Sequence, residues 1–151
     1  SIHGGQAENV IPEEVALGIT MRYMTTAVQE QIHAEIERAL GIAKSLGGDY
    51  ELEITPGYPP GTNSPSLVQL ITDVATDLIG GDNLAEDRPE MGSEDFGYFA
   101  QDIPGAMFML GGEIAGDTRR HHDPMFDIDE ACLPIGAAIM AETALRLLIG
   151  E

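Results

Sequence analysis

The chain has 151 residues, with 26 acidic against 7 basic side chains for a formal net charge of −19, and 43% of it is apolar. Length and apolar fraction are those of about one ordinary globular domain. The charge argues against nucleic acid and anionic membranes as partners, because both select clusters of Lys and Arg. Cys132 is the single cysteine, so no internal disulfide can form, and a reducing, cytoplasmic compartment is expected. No apolar run is read as reaching the roughly 18 residues that span a bilayer. The first residue is Ser1 and not Met, so an earlier N-terminus is expected.

Ile2 to Ile11 reads as a first strand, with a turn near Pro12-Glu13. Residues 14 to 24 alternate: Val15, Leu17, Ile19, Met21 and Tyr23 fall on one face, the period of a half-buried strand. A helix is predicted from about Thr26, with Gln29 as a capping-box partner. Val28, Ile32, Ile36, Ala39, Leu40 and Ala43 make its apolar stripe, and Gly47-Gly48 stops it. Tyr50, Leu52 and Ile54 alternate with Glu51 and Glu53 as another strand, giving β-β-α-β. The Pro/Gly-rich stretch from Pro56 to Pro65 marks a domain boundary.

Beyond it Ser64-Pro65 opens a second helix, lined by Leu67, Val68, Ile71, Val74, Ala75 and Leu78 and ended by Gly80-Gly81. Gly92-Ser93-Glu94-Asp95 leads a short helix carrying Phe96, Tyr98 and Phe99, with Ser93 as its expected N-cap. Ala106 to Leu110 is wholly apolar, as in a strand buried on both faces. Gly111 to Asp129 is a long polar loop, and loops of that length inside compact domains are usually functional. A helix from about Glu130 to Ile149, capped by Asp129, closes the chain. The fold class read from this order is α/β.

His121-His122-Asp123-Pro124 stands in that loop, between an apolar segment and a helix. Neutral imidazole is a common ligand for zinc and related ions. Adjacent loop residues point in roughly opposite directions, so the two histidines are not expected to bind one ion. With four histidines and one cysteine at no closed-site spacing, the chain offers part of a metal centre and not a whole one. From the residues alone, both histidines are better read as surface groups.

Asn9-Val10-Ile11-Pro12, Met91 to Phe96, the apolar segment ending at Gly111, and His122-Asp123-Pro124 with Leu133-Pro134-Ile135-Gly136-Ala137-Ala138 resemble the aminoacylase/carboxypeptidase G class of metallohydrolases. The nearest subgroup is the N-acyl-amino-acid amidohydrolases, which include hippurate hydrolases and plant auxin-conjugate hydrolases. The resemblance covers the C-terminal part of such an enzyme. It implies that residues 1–57 are the second half of a ferredoxin-like lid, or dimerisation, domain, and that 58–151 end a metal-dependent α/β catalytic domain. The lid strand that would lie between the hairpin and the final strand is not matched, which leaves unpaired edges that invite another chain.

The implied activity is metal-dependent cleavage of the amide of an N-acyl amino acid or related small amide, with two divalent ions (Zn, Mn or Ni) in the full-length enzyme. The segment that carries most ligands and the general-base glutamate has no counterpart here, so no catalytic residue is assigned and the chain alone is expected to be inactive. His122 matches the family's ligand histidine ahead of a small or acidic residue and Pro. Asn9 and Arg22 match lid residues that hold the substrate carboxylate, a task suited to a guanidinium fork. Gly92 and Glu94 would line the pocket. The implied partners are a small acyl amino acid and a second copy through the lid, with no nucleic acid and no membrane. The alternative is a non-catalytic dimerisation or binding module that keeps the lid and lacks the metal-binding half.

Overall fold

The computed structural model describes residues 1–85 and 91–150. It divides into two compact units: residues 1–60 together with 91–93, and the remaining described residues from 61 onward. The division falls after Pro60, inside the Pro/Gly-rich stretch. Both contain helix, and the first also holds a two-stranded sheet, so the chain is of α/β type.

In the first unit β1 (Ile2–Gly4) pairs antiparallel with β2 (Val15–Leu17), Ile2 opposite Leu17 and Gly4 opposite Val15. One further pair, Ser1 with Gly18, extends the ladder through bonds of 3.0 and 2.8 Å. These strands are much shorter than the alternating pattern suggested. Alternation defines a face, but a strand persists only where a partner takes its N–H and C=O groups. The same reasoning corrects Tyr50–Ile54, which forms no strand among the described residues. The expected β-β-α-β is β-β-α.

α1 (Thr26–Ser45) is the longest element. Its N-cap is Thr25, whose Oγ1 accepts from the Val28 N–H at 3.3 Å, so the capping box imagined between Thr26 and Gln29 does not form. At the other end Gly47 takes φ +89°, and Gly48 N–H reaches the Ala43 carbonyl at 2.9 Å while Gly47 N–H reaches that of Lys44. That is a Schellman motif, which needs a left-handed residue and therefore favours Gly. No residue of α1 is buried. His33 is half-buried, and its Nε2 has no hydrogen-bond partner among the described residues.

The second unit packs α2 (Pro65–Ile79) against α4 (Cys132–Ile149), with α3 (Phe96–Asp102) between them in sequence. Val74, Ala75 and Ile139 are its buried centre, covered by Leu70, Ile71, Leu84 and Phe108. Outside this contact Arg146 on α4 binds Asp77 of α2 at 2.8 Å and Glu142 at 3.0 Å. α4 starts at Cys132, later than expected; Asp129 caps the turn before it, its Oδ1 accepting from Ala131 N–H. α3 begins at Phe96 behind Asp95, so Ser93 is not its N-cap. Over its 18 residues α4 has a mean hydropathy of 1.6, which by length and composition suffices to cross a membrane, contrary to the reading above. Only 17% of that stretch is buried; Ile139 packs on α2, and the Glu142–Arg146 pair is tied to Asp77.

Ala106–Leu110 is likewise not a strand. It is held from one side by residues 63–64. The Asn63 side-chain amide donates to Met107 O at 2.8 Å and accepts from Met107 N–H at 2.9 Å, and Ser64 N–H bonds Gly105 O at 2.7 Å. One side chain thus does for Met107 what a neighbouring strand would do. Gly136 lets the helix backbone come close to this segment: a Cβ there would lie 2.6 Å from Leu110 Cδ2.

Candidate functional site

The loop from Gly112 to Asp129 is closed at its neck, where Asp129 N–H donates to Gly112 O at 2.9 Å. The neck is tight, since a Cβ on Gly112 would meet Cys132 Sγ at 3.1 Å. Cys132 is buried there as a free thiol.

Inside the loop two turns follow each other. Asp123 N–H bonds Arg120 O at 3.0 Å, closing a turn with His121 and His122 at its centre. His122 has φ +71°, and among the described residues it alone takes positive φ without being Gly. A second turn runs from Asp123 to Phe126, with Pro124 preset for its second position and Met125 N–H on Asp123 Oδ1 at 2.8 Å. Both imidazoles are exposed, and they differ in one contact: His121 sits edge-on to Phe126 with centroids 5.2 Å apart.

Arg119 stands at the centre of the loop. Its backbone N–H and Nε bond Asp117 Oδ1 at 2.9 and 3.0 Å, Nε also reaches Oδ2 at 2.7 Å, and Nη2 bonds Oδ2. Nη1 donates to Met125 O, and Asp127 lies 3.9 Å away. The guanidinium on Asp117 holds that carboxyl at about 2, below the usual carboxylate range, through side-chain hydrogen bonds first and the Arg119 backbone N–H second.

The other sequence-predicted residues fall in both units. Asn9 lies in the exposed connection between β1 and β2, and Arg22 in the exposed segment between β2 and α1. No hydrogen bond joins the two, and Arg22 makes no ion pair with Glu14 or another described residue. Gly92 stands in open space, with nothing within 4 Å of a Cβ built on it. Glu94 is exposed ahead of α3. Asn9, Arg22 and Gly92 belong to the first unit, Glu94 and His122 to the second. Sequence reading missed Arg119 and Asn63. Arg119 carried a usable signal, an Asp-x-Arg pair inside a Gly-flanked loop, whereas nothing local pairs Asn63 with Met107.

An apolar groove of about 490 Å³ runs along α3, residues 106–110 and α4, lined among others by Phe96, Met107, Leu133 and Met140. It holds no titratable group and is no catalytic pocket by itself. Nor do the described residues include three or more His, Cys, Asp or Glu close enough to hold a metal ion. His122 fits the part of one donor. A single imidazole is not a site, so these residues do not fit a complete centre and no step through a metal follows from them.

Compared with known proteins, residues 2–146 match the profile of Peptidase family M20/M25/M40. IAA-amino acid hydrolase ILR1-like 4 of Arabidopsis thaliana is 35% identical over 153 residues, covering 97% of this chain and 35% of its own length. N-acetyldiaminopimelate deacetylase of Streptococcus suis is 37% identical over 137 residues, covering 89% of this chain and 35% of its own. The putative amidohydrolase YhaA of Bacillus subtilis is 31% identical over 140 residues, covering 91% and 35% respectively. The chain spans about a third of the length of these curated relatives. A family profile that runs from Ile2 to Arg146 leaves almost nothing of the sequence outside it, and the chain belongs to Peptidase family M20/M25/M40, in its amidohydrolase-like branch.

Proposed function

We propose that this chain is the C-terminal part of a metal-dependent amidohydrolase that cleaves the amide of an N-acyl amino acid or related small amide. The observation that carries the reading is the family match over residues 2–146, supported by relatives whose names specify hydrolysis of IAA-amino acids and deacetylation of N-acetyldiaminopimelate. Both names describe an acyl group leaving an amino-acid nitrogen. In this reading residues 1–57 are the second half of the lid and dimerisation domain, and 58–151 belong to the catalytic domain. His122 is one donor to a pair of divalent ions, which, when bound, supply a water of lowered pKa near neutrality. Arg22 and Asn9 hold the substrate carboxylate, with Gly92 and Glu94 lining the pocket. The remaining donors come from residues outside this sequence.

Two measurements test it. The purified chain, assayed on N-acetyl and N-benzoyl amino acids with added Zn²⁺, Mn²⁺ or Ni²⁺, gives no turnover; turnover that disappears in His122→Ala would show that one donor is enough and the partial-centre reading is wrong. In the full-length enzyme, Arg22→Ala raises KM about tenfold or more for an acyl amino acid, and much less for the analogue that lacks the carboxylate. Equal losses on both substrates would remove Arg22 from carboxylate recognition.

A further inference from the structure

We propose that Arg119 is the positioning residue of the His122 turn, its guanidinium pinning Asp117 and Met125 so that the histidine stays in its left-handed conformation with the imidazole presented to solvent. The value of that presentation rests on the reading of His122 as a functional donor; the geometry does not.

An L residue with a Cβ leaves the positive-φ region unless the surroundings hold it there, and such positions gather at functional sites. The turn's own hydrogen bond, Asp123 N–H to Arg120 O, closes the backbone around His121 and His122 but does not anchor it to anything else. Arg119 does. Asp117 precedes the turn and Met125 follows it, and both bond the same planar group. Residues 120–124 are therefore clamped at both ends. A lysine could not replace the fork, because its single ammonium on a flexible stem cannot meet a carboxylate edge and a carbonyl in fixed directions. The clamp also decides between the two histidines. With Phe126 held just beyond Met125, the exposed His121 has a ring to pack against, and the equally exposed His122 has no such ring contact among the described residues. The cluster lies in the loop and includes none of the buried residues Val74, Ala75 and Ile139, so its loss should rearrange the loop without unfolding the unit.

The test uses the isotope-labelled chain, whose four histidines make the imidazole spectrum readable. At positive φ the amide and α protons of a residue come closer, so His122 should show an intraresidue cross-peak stronger than those of its neighbours. Mn²⁺, used as a paramagnetic probe, should broaden the His122 imidazole before that of His121. In Arg119→Ala both signatures should be lost while the thermal midpoint followed on α2 and α4 stays close to that of the unchanged chain. Arg119→Lys should fail to restore them. Asp117→Asn, which removes the anchor and leaves the arginine, should show the same losses and decides the matter if Arg119→Ala fails to fold. Retention of the cross-peak and of the His122-first broadening in Arg119→Ala or Asp117→Asn, or full rescue by lysine, overturns the proposal. Absence of any Mn²⁺ effect at His122 in the unchanged chain counts against the donor reading alone, and the cross-peak then decides the role of Arg119.

Discussion

α1 and α4 are helices of similar length held in opposite ways. α1 has every local device: a Thr25 cap, a Schellman ending at Gly47-Gly48, an Arg38–Glu35 pair and Lys44 in its last turn, yet none of its residues is buried. α4 has no side-chain N-cap bond, starts behind Ala131 and carries Pro134 in its first turn, with a left-handed Gly150 and the Glu142–Arg146 pair near its end, yet it buries Gly136, Ile139 and Thr143. Local devices contribute tenths of a kcal/mol to about 1 kcal/mol each, whereas burial of one large aliphatic side chain contributes about 1.5–3 kcal/mol. In the described residues, α1 therefore rests on its termini and α4 on what it packs against. The difference teaches that a helix can be fully specified in its own sequence and still lack the contacts that make it stable.

The sharpest way to break this comparison is to remove an aliphatic side chain from each helix. Ile139→Ala should destabilise the second unit by about 2–4 kcal/mol, read by urea unfolding followed by circular dichroism. Ile36→Ala, at a half-buried position of the α1 stripe, should change stability by less than about 1 kcal/mol, because little area is lost and Ala is the better helix former. An Ile36→Ala loss equal to that of Ile139→Ala would mean that the α1 stripe is covered in solution by another chain or copy. Next in size, Thr25→Ala should loosen the first turn of α1 by about 1 kcal/mol, seen as faster amide exchange at Val28 and its neighbours with no change in α4. Unchanged exchange at Val28 would show that α1 is held elsewhere than at its end.

The smallest expected effect is confined to the loop. Asp117 has a folded pKa of about 2, below its unfolded value, so its contribution is fully present above the ordinary carboxylate range and is lost as pH falls through about 2. The Asp117 carboxyl carbon should keep the chemical shift of a carboxylate as pH falls through the ordinary carboxylate range and change only as pH approaches about 2. A transition of that carbon near the ordinary carboxylate value would show that the Arg119 contact is not formed in solution.

How much of this was legible depended on range. The three long helices could be read because a 3.6-residue apolar period and its Gly or Pro stops are written locally: Gly47-Gly48, Pro65 and Gly80 all act where the pattern placed them. The strands could not be measured from alternation, since Tyr50–Ile54 has the pattern and no ladder, and Ile2 to Ile11 keeps only its first three residues in one. Pairing is a property of two segments, and one of them is not written beside the other. The same holds for the sites. His122 stood out through its histidine-acid-proline motif, but its positive φ and the Arg119 clamp depend on side chains meeting across a folded loop. Asn63 was invisible for the same reason, its partner lying 44 residues away.

The neck between Gly112 and Asp129 has a consequence for how this part of the protein can diverge. Once two points of a chain are fastened together, lengthening the excursion between them adds only a logarithmic penalty, about 0.6 kcal/mol for each doubling. The excursion here returns to its starting point before α4 begins, so insertions or deletions near Gly116 would not be transmitted to the register of α4 on α2. Natural variation can therefore rewrite the chemistry offered around the histidine as an interchangeable cassette, leaving the helical pair that supports it unaltered.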